Sequence, residues 1–352
     1  MVLWKPKNLV GLDIGSHFVK AVEFRHHKAG YELRNFGLAQ LPPEAIVDGV
    51  IMDSAVVVDT IRNLFSHLKI KNRNVATSVS GHSLIIKKIQ LPLMTQEELE
   101  EQIQWEAEQY IPFEIEDVNV DFQILGPAPD EEGQMEVLLA AVKKDIINDY
   151  TAVITEAGLV PMVVDVDAFA LENIFEVAYP EYLDRTVVLI DVGAGIMNIN
   201  VVRAGTSTFT RDITMGGSNF TEEIQKELGV SYEEAEVLKL GGKAGHATAS
   251  DVLDVLRVCI ENLVLEIQRS LDFYSATAAE EEIDAVFLCG GSCRVPGLAA
   301  AVEERVGVAV EIMNPFRGVR YSEKLFDPDY LEEAGPLAAV AAGLALRRLD
   351  ER

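Results

Sequence analysis

Three glycine turns of this sequence carry residue types that could bind phosphate. In the first, Asp13 ends an apolar strand, Gly15 follows two residues later, and a second apolar strand begins. The second turn repeats this design with Asp191 and Gly193. Glycine permits positive φ and lets backbone N–H groups approach phosphate oxygens, and a strand-end aspartate can hold Mg²⁺ through water. Two such hairpins facing each other would grip a polyphosphate, although a single Asp-x-Gly hairpin is more commonly an ordinary β-turn.

The third turn follows an apolar strand at residues 285–289. It contains Gly290, Gly291 and Ser292, with Arg294 close behind. A bare glycine pair lets a flat base or an α-phosphate lie against the backbone. A tight strand-to-helix turn would explain the same residues, so this turn alone decides nothing.

Two further pieces lie between the second and third turns. Gly216 and Gly217 lead into a helix, and Glu236 and Lys239 lie three residues apart on one face of a later helix. The Glu–Lys pair could receive a ribose hydroxyl and part of a phosphate or base, or it could be a surface ion pair. Chance would rarely supply all these pieces in this order.

Composition limits the partners of the chain. The chain has 352 residues and a net charge of −27, so nucleic acid and anionic membrane surfaces would repel it. A polyphosphate site on such a chain must therefore be locally positive, through backbone N–H groups, a few basic side chains and a bound cation. No apolar run is long enough to span a membrane, and the N-terminus lacks the features of a signal peptide. We expect a soluble, cytoplasmic protein.

Three cysteines, Cys259, Cys289 and Cys293, give no disulfide framework and indicate a reducing compartment. Cys289 and Cys293 lie four residues apart in a glycine-rich turn, which could suggest a metal site. No histidine or second cysteine pair lies nearby, so small buried thiols are the better interpretation.

Periodic patterns place these motifs on secondary structure. Residues 8–24 and 186–202 each predict two strands joined by a tight turn, and 54–68 predicts a helix with Ser54 as its N-cap. Further helices are predicted near 219–228, 231–240, 250–277, 298–306 and 335–348. Residues 81–163 predict a compact α+β unit, in which a capping box of Thr95 and Glu98 begins a helix that runs to Tyr110.

The order of these motifs resembles that of the actin, heat-shock chaperone and sugar-kinase superfamily. Residues 11–24 are similar to its first phosphate motif, 187–205 to its second, and 286–298 to its adenosine motif. Stretches 10–16, 104–113, 157–159 and 165–170 most resemble the PilM family of type IV pilus assembly proteins, and the resemblance covers nearly the whole chain. It implies an α/β, actin-like (ribonuclease H-like) two-lobed fold with an inserted α+β subdomain.

The resemblance also implies boundaries. The first lobe would span 1–80 and 164–185, and the second lobe 186–334. An inserted subdomain, similar to that of the cell-division protein FtsA, would span 81–163. A connecting helix would span 335–352, and together with residues 164–171 it would form the hinge between the lobes.

ATP and Mg²⁺ are the cofactors that the resemblance implies, and its motifs assign residues to them. The metal would be held by Asp13 and Asp191. The phosphates would be held by Gly15, Ser16, Lys20, Gly193, Ala194 and Gly195. The nucleoside and its neighbouring phosphate would be held by Gly216, Gly217, Glu236, Lys239, Gly290, Gly291, Ser292 and Arg294. Asp167 would position an attacking water, or else be the N-cap of its helix.

The implied function is that of an ATP-dependent adaptor, which binds the N-terminal cytoplasmic segment of the inner-membrane protein PilN and meets the membrane only through it. The second phosphate motif has Met197 where the family often has a hydroxyl, and Ala194 where actin has an acid, so we expect slow or absent hydrolysis. The alternatives are a faster ATPase or kinase, a related secretion-system component, or an FtsA-like filament protein. The chain shows no sugar-kinase signature, and it stops at 352 without the amphipathic membrane helix of FtsA. Self-association stays open.

Overall fold

The computed structural model of the chain describes residues 8–28, 30–128, 131–277 and 282–348. The elements of its first half are β1 Val10–Ile14, β2 Phe18–His27, β3 Gly30–Gln40, β4 Ile46–Val47, β5 Val50–Ile51, α1 Ser54–His67, β6 Asn74–Val79, β7 Leu84–Pro92, α2 Gln96–Ala107, β8 Val118–Pro127, β9 Gln134–Lys143, α3 Lys144–Glu156, β10 Val160–Val166 and α4 Asp167–Ala178. Those of the second half are β11 Thr186–Val192, β12 Met197–Arg203, β13 Thr206–Ile213, α5 Gly217–Leu228, α6 Tyr232–Lys239, α7 Ala249–Thr277, β14 Ala285–Cys289, α8 Leu298–Val306, β15 Val310–Ile312, α9 Pro328–Ala334 and α10 Ala339–Leu344.

Two five-stranded sheets share one topology. Their strand orders are β10-β6-β1-β2-β3 and β15-β14-β11-β12-β13. In each sheet, the central strand (β1 or β11) begins an antiparallel meander on one side and has parallel neighbours on the other. Because parallel strands end at the same edge, the residues that follow them collect beside the hairpin turns of the central strands.

A third, antiparallel sheet of order β7-β9-β8 lies between β6 and β10 in sequence. Helix α2 packs on it through the buried side chains of Leu99, Ile103 and Ala107. The predicted capping box of Thr95 and Glu98 is confirmed, but the helix ends at Ala107 rather than Tyr110.

Helix α3 and strand β10 were predicted to belong to this inserted unit, but they pack with the first sheet and its helix α1. Strand β10 pairs with β6 in the first sheet, and α3 contributes Ile146 and Val153 to the core that α1 shares. We therefore propose that the inserted unit ends near Lys143 rather than at 163. The other predicted boundaries stay predictions, and those that include residues 1–7 and 349–352 extend outside the described residues.

Helices α4 and α10 pack closely against each other beneath both sheets. A Cβ at Gly343 would lie 1.7 Å from the Ala170 carbonyl oxygen, and one at Gly11 would lie 1.9 Å from the Ala341 carbonyl oxygen. Glycine is required at both places because the backbones themselves are in contact. The two helices that we predicted as the hinge therefore contact each other, and α10 also contacts β1 directly.

Other local predictions need correction. Asp53, not Ser54, caps α1, because its carboxylate accepts from the N–H of Val56 at 3.1 Å. The predicted last helix is a 3₁₀ turn at Gly335–Ala338 followed by the short α10. Strands β13 and β15 and helix α9 had no sequence prediction. In the described part of the chain, no helix is long and apolar enough to cross a membrane.

Candidate functional site

A cavity of about 240 Å³ opens between the two five-stranded sheets. Both predicted phosphate hairpins face it, so Asp13 and Asp191 share one cleft. Most of the predicted site residues line this cavity, namely Asp13, Gly15, Ser16, Lys20, Asp167, Asp191, Gly193, Ala194, Gly195, Glu236, Lys239, Gly290, Gly291, Ser292 and Arg294. The tertiary structure thus brings together residues that are far apart in the chain.

The two hairpins have the same register. Asp13 lies opposite Lys20 across the first hairpin, and Asp191 lies opposite Asn198 across the second. Each turn is closed by the same bond, from Gly15 N–H to the Phe18 carbonyl at 3.1 Å and from Gly193 N–H to the Ile196 carbonyl at 3.0 Å. Lys20 and Asn198 therefore occupy equivalent places in the two sheets.

Close contact, rather than positive φ, explains the glycines of these two turns. Gly15 and Gly193 lie outside the positive-φ region, which corrects part of the sequence argument. A Cβ at Gly193 would lie 2.7 Å from the Ile196 carbonyl oxygen, and one at Gly15 would lie 2.9 Å from Lys20 Nζ. A side chain at either position would push apart the turn or displace the lysine.

Lys20 is paired with the carboxylate beside it. Its Nζ donates to Asp13 Oδ2 at 2.8 Å. Burial alone would lower the pKa of Lys20, but the carboxylates of Asp13, Asp191 and Asp167 together raise it above its usual value. Lys20 is therefore a fixed positive charge on the cavity wall.

Asp167 begins α4 at the edge where β6 and β10 end. Its Oδ1 accepts from Ser78 Oγ at 2.5 Å, and no side chain caps α4, so the N-cap alternative is wrong. Burial, with help from the charge of Asp13, raises the pKa of Asp167 to about 7. Burial also raises the pKa of Asp191 to about 6, although Lys20 opposes that shift.

Glu236 and Lys239 form an ion pair in the cavity wall rather than on the surface. Lys239 Nζ lies 2.6 Å from Glu236 Oε1 and also donates to Thr221 Oγ1 at 3.0 Å and to the Gly217 carbonyl at 3.3 Å. Burial lowers the pKa of Lys239, and Glu236 opposes this shift. Only 6% of the Lys239 surface is exposed, so Glu236 is the more accessible member.

Gly290 is a turn position that only glycine fits. Its φ is +83°, and a Cβ there would lie 2.1 Å from Asp191 Oδ1. Ser292 Oγ donates to the Gly193 carbonyl at 3.0 Å, which ties this turn to the second hairpin. Arg294 lines the cavity while its guanidinium pairs with Glu333 at 3.0 Å.

Gly216 and Gly217 do not line the cavity. Their N–H groups are already used, because Gly216 donates to Asn219 Oδ1 at 2.9 Å and Gly217 to the Gly193 carbonyl at 2.9 Å. A Cβ at Gly216 would lie 2.5 Å from the Ala194 carbonyl oxygen. These glycines pack against the second hairpin, and their role in nucleotide binding stays a prediction.

Met197 also has a different place from the one that its sequence position suggested. It is fully buried in the core beneath β12 and does not line the cavity. Its equivalent in the first hairpin is the buried Val19. A hydroxyl at 197 would face this core, so the expectation of slow hydrolysis loses its support from Met197 and rests on Ala194.

Several cavity residues had no sequence prediction. Ser78 follows from the strand-end rule that found Asp13, since it lies near the end of β6. Asn198 follows from the shared hairpin register. His17 and Tyr232 face each other across the cleft, with His17 Nδ1 3.0 Å from the Tyr232 hydroxyl, and no local pattern identifies that contact.

Cys289 and Cys293 are buried free thiols, and burial raises the pKa of both. Among the described residues, no three histidine, cysteine, aspartate or glutamate side chains are close enough to ligate one metal ion directly. The carboxylates of Asp13 and Asp191 both line the cavity, where they could hold a cation through its waters.

Comparison with known proteins places this chain in a family. The family model described as type IV pilus assembly protein PilM matches residues 11–349. A solved PilM-PilN type IV pilus biogenesis complex is 31% identical, with a TM-score of 0.88 over 99% of this chain and 100% of that chain. The cell division protein FtsA of Bacillus subtilis (strain 168) is 24% identical over 93% of this chain and 82% of its own length.

A more distant likeness shows the fold alone. MreB 5 of Spiroplasma citri bound to AMPPNP is 12% identical, with a TM-score of 0.53 over 97% of this chain and 95% of that chain. Together with the paired sheets, these matches confirm the predicted α/β, actin-like fold of two domains. The chain belongs to the PilM family of type IV pilus assembly proteins.

Proposed function

We propose that this protein is an ATP-binding adaptor of type IV pilus assembly, which holds Mg-ATP between its two sheets and binds the N-terminal cytoplasmic segment of PilN. One observation carries the nucleotide part. Two hairpins of identical register, one from each sheet, present glycine turns to a shared cavity that also holds Lys20. Opposed backbone turns with a fixed cation suit a polyphosphate, which needs N–H donors and positive charge from both sides.

The residues divide this task by their chemistry. Lys20 and the turns at 15–16 and 193–195 would hold the phosphates. Asp13 and Asp191 would hold Mg²⁺ through its waters, and the metal would neutralise phosphate charge. The turn at 290–292 and Arg294 would lie against the base. Glu236 would accept a hydrogen bond from a ribose hydroxyl, and Lys239 would hold the Glu236 side chain in place.

Hydrolysis would be slow. Asp167 has a pKa of about 7, so near neutral pH a substantial fraction can accept a proton from water. Ser78 fixes its orientation. The second turn offers Ala194 in place of another acid, so that position cannot help Asp167 to orient or deprotonate the attacking water.

The partner assignment rests on the family. One similar solved structure is a PilM-PilN complex, and the match covers 99% of this chain and 100% of the matched chain. We therefore propose PilN as the partner, and recruitment to the cytoplasmic face of the inner membrane through it.

A charge placed in the second turn tests the nucleotide part. Gly195 faces the first turn across the cavity, since a Cβ there would lie 3.2 Å from Ser16 Oγ. Gly195→Glu should weaken Mg-ATP binding by at least about a hundredfold, because a carboxylate a few ångströms from phosphate costs about 3–4 kcal/mol. Isothermal titration calorimetry would measure the affinity. Ala55→Glu, at an exposed position in the first turn of α1, is the matched control and should bind within about twofold of wild type.

Two results would overturn the proposal. One is the absence of Mg-ATP binding by the wild-type protein, and the other is equal loss in both variants. Titration of the N-terminal peptide of PilN into the same samples tests the partner separately. Peptide binding without ATP binding would leave an adaptor that needs no nucleotide.

A further inference from the structure

Helix α2 presents an exposed tryptophan to solvent. Trp105 is 77% exposed, although α2 already buries Leu99, Ile103 and Ala107 against its sheet. The core of the inserted unit therefore does not need this ring. Large aromatic side chains are seldom left in water, and tryptophan is enriched among the residues that dominate binding energy at protein interfaces.

Glutamates flank the ring, one on α2 and one at its C-cap. Glu101 and Glu108 lie four residues before and three residues after Trp105, which is the spacing of neighbours on a helix surface. Both are exposed, and among the described residues no ion pair involves them. Glu97 is likewise exposed, one turn before Glu101.

The charge of this region is one-sided over a long stretch. Between Lys88 and Lys143 the sequence has 14 aspartates and glutamates and no lysine, arginine or histidine. Surface carboxylates usually alternate with bases that screen them. This stretch therefore has a negative electrostatic potential, and Trp105 lies within it.

We infer that this acidic face of α2, with Trp105 at its centre, is a docking surface for a basic segment of a partner protein. An arginine or lysine of that segment would lie over the indole ring, where cation–π attraction adds to apolar contact. Its neighbours would pair with Glu101 and Glu108. This surface lies on the inserted unit and is separate from the cavity between the sheets.

Charge complementarity favours a basic segment over nucleic acid, lipid, a second copy of this chain or an apolar peptide. Nucleic acid and anionic lipid would be repelled, and a second copy would bring the same acidic face and a net charge of −27. A purely apolar peptide would bury the glutamates beside the ring without partners. A basic segment satisfies both the ring and the carboxylates, and one helix face gives an interface of the small, transient class.

Trp105 supplies its own readout. The chain has two tryptophans, so a Trp4→Phe protein reports only on Trp105. The probe is a short synthetic helical peptide with arginines at every third or fourth position and leucines between them. We expect a saturable blue shift of Trp105 emission at low ionic strength, which weakens strongly as salt rises from about 0.05 to about 0.5 M.

Variants assign the binding to this face. Measured by anisotropy of the labelled peptide, Trp105→Ala should weaken binding by at least about tenfold, and the double variant Glu101→Gln, Glu108→Gln should weaken it by about tenfold and lower its salt dependence. The matched control is Glu303→Gln, Glu304→Gln on α8, where both side chains are exposed, and it should stay within about twofold.

Four results would overturn the inference. They are saturation of the peptide without a shift in Trp105 emission, equal weakening in the α8 control, a shift that depends on protein concentration alone, and a shift caused by vesicles of anionic lipid. The third would indicate a second copy and the fourth a membrane surface. Because the substituted side chains are exposed, circular dichroism should show unchanged folding in every variant.

Discussion

The first and second hairpins have the same backbone but different charge. Their register, turn bond and sheet position agree. Yet the first places Lys20 opposite its aspartate, whereas the second places Asn198 there, and Asn198 Nδ2 donates away from Asp191 to Asp212 at 2.7 Å. The shared backbone suits binding of one polyphosphate from two sides. The differing side chains give the first side a lysine paired with its aspartate, and the second side an aspartate with no lysine opposite it.

This asymmetry leaves the centre of the cavity short of positive charge. Lys20 faces Asp13, Asp167 and Asp191, while Lys239 and Arg294 are engaged by Glu236 and Glu333. A bare polyphosphate would meet net repulsion there. The arrangement therefore favours a nucleotide that arrives with its own cation, because the cation can neutralise Asp191, which has Asn198 rather than a lysine opposite it in its own hairpin.

The largest effect is expected when the equivalent residues Lys20 and Asn198 are each replaced by alanine. Lys20→Ala should weaken Mg-ATP binding by about a hundredfold, because charge-assisted bonds to phosphate contribute about 1.5–3 kcal/mol and Asp13 is left unpaired. Asn198→Ala should cost no more than about threefold, since its amide bonds to Asp212. Calorimetry on both variants gives the ratio of their Mg-ATP affinities. Similar losses of affinity would show that the hairpins do not differ as described.

The two aspartates should respond with opposite signs. At pH 8, Asp191→Asn should stabilise the nucleotide-free protein by about 1–2 kcal/mol, because the raised pKa marks a charge that folding disfavours. Asp13→Asn should destabilise it by about 1–3 kcal/mol, because Lys20 loses its closest partner. Urea unfolding would measure both.

The pH dependence sharpens this second test. The pKa of Asp191 rises from 3.8 to about 6, so its protonated form contributes stability that is fully present below pH 4 and is lost as pH rises through about 6. The advantage of Asp191→Asn should therefore shrink as pH falls from 6 towards 4. An advantage that grows on acidification would contradict the assigned pKa.

The smallest test concerns His17, whose equivalent in the second turn is Gly195. His17 contacts the Tyr232 hydroxyl and lies 4.0 Å from Glu236 Oε2, so it bridges the mouth of the cleft. His17→Gly, which makes the turns alike, and Tyr232→Phe should each speed release of a fluorescent nucleotide by about two- to fivefold, the worth of about one hydrogen bond. Tyr321→Phe, outside the cavity, is the control. Unchanged release rates in both test variants would show that the contact between His17 and Tyr232 does not retain the nucleotide.

Local pattern predicted much of this structure. The Asp-x-Gly hairpins, the capping box at Thr95 and the strand at 285–289 were visible because adjacent residues determine turns, caps and strand alternation. Where a prediction failed, two local solutions competed. Asp53 and Ser54 are both good caps for α1, and only the backbone path selects the first. Strand β15 has three residues and depends on its neighbour β14 for pairing, so no local signal identifies it.

By itself, the sequence determined that two like hairpins exist, which residues close their turns, and where the glycines must lie, since these depend on contacts within a few residues. The tertiary structure alone decided that the hairpins face one cavity, that Gly216 and Gly217 support a turn instead of lining the cleft, and that Met197 points into the core. Those outcomes depend on strand register and on packing between distant segments. A shift of one residue in register would reverse every side chain along the strand.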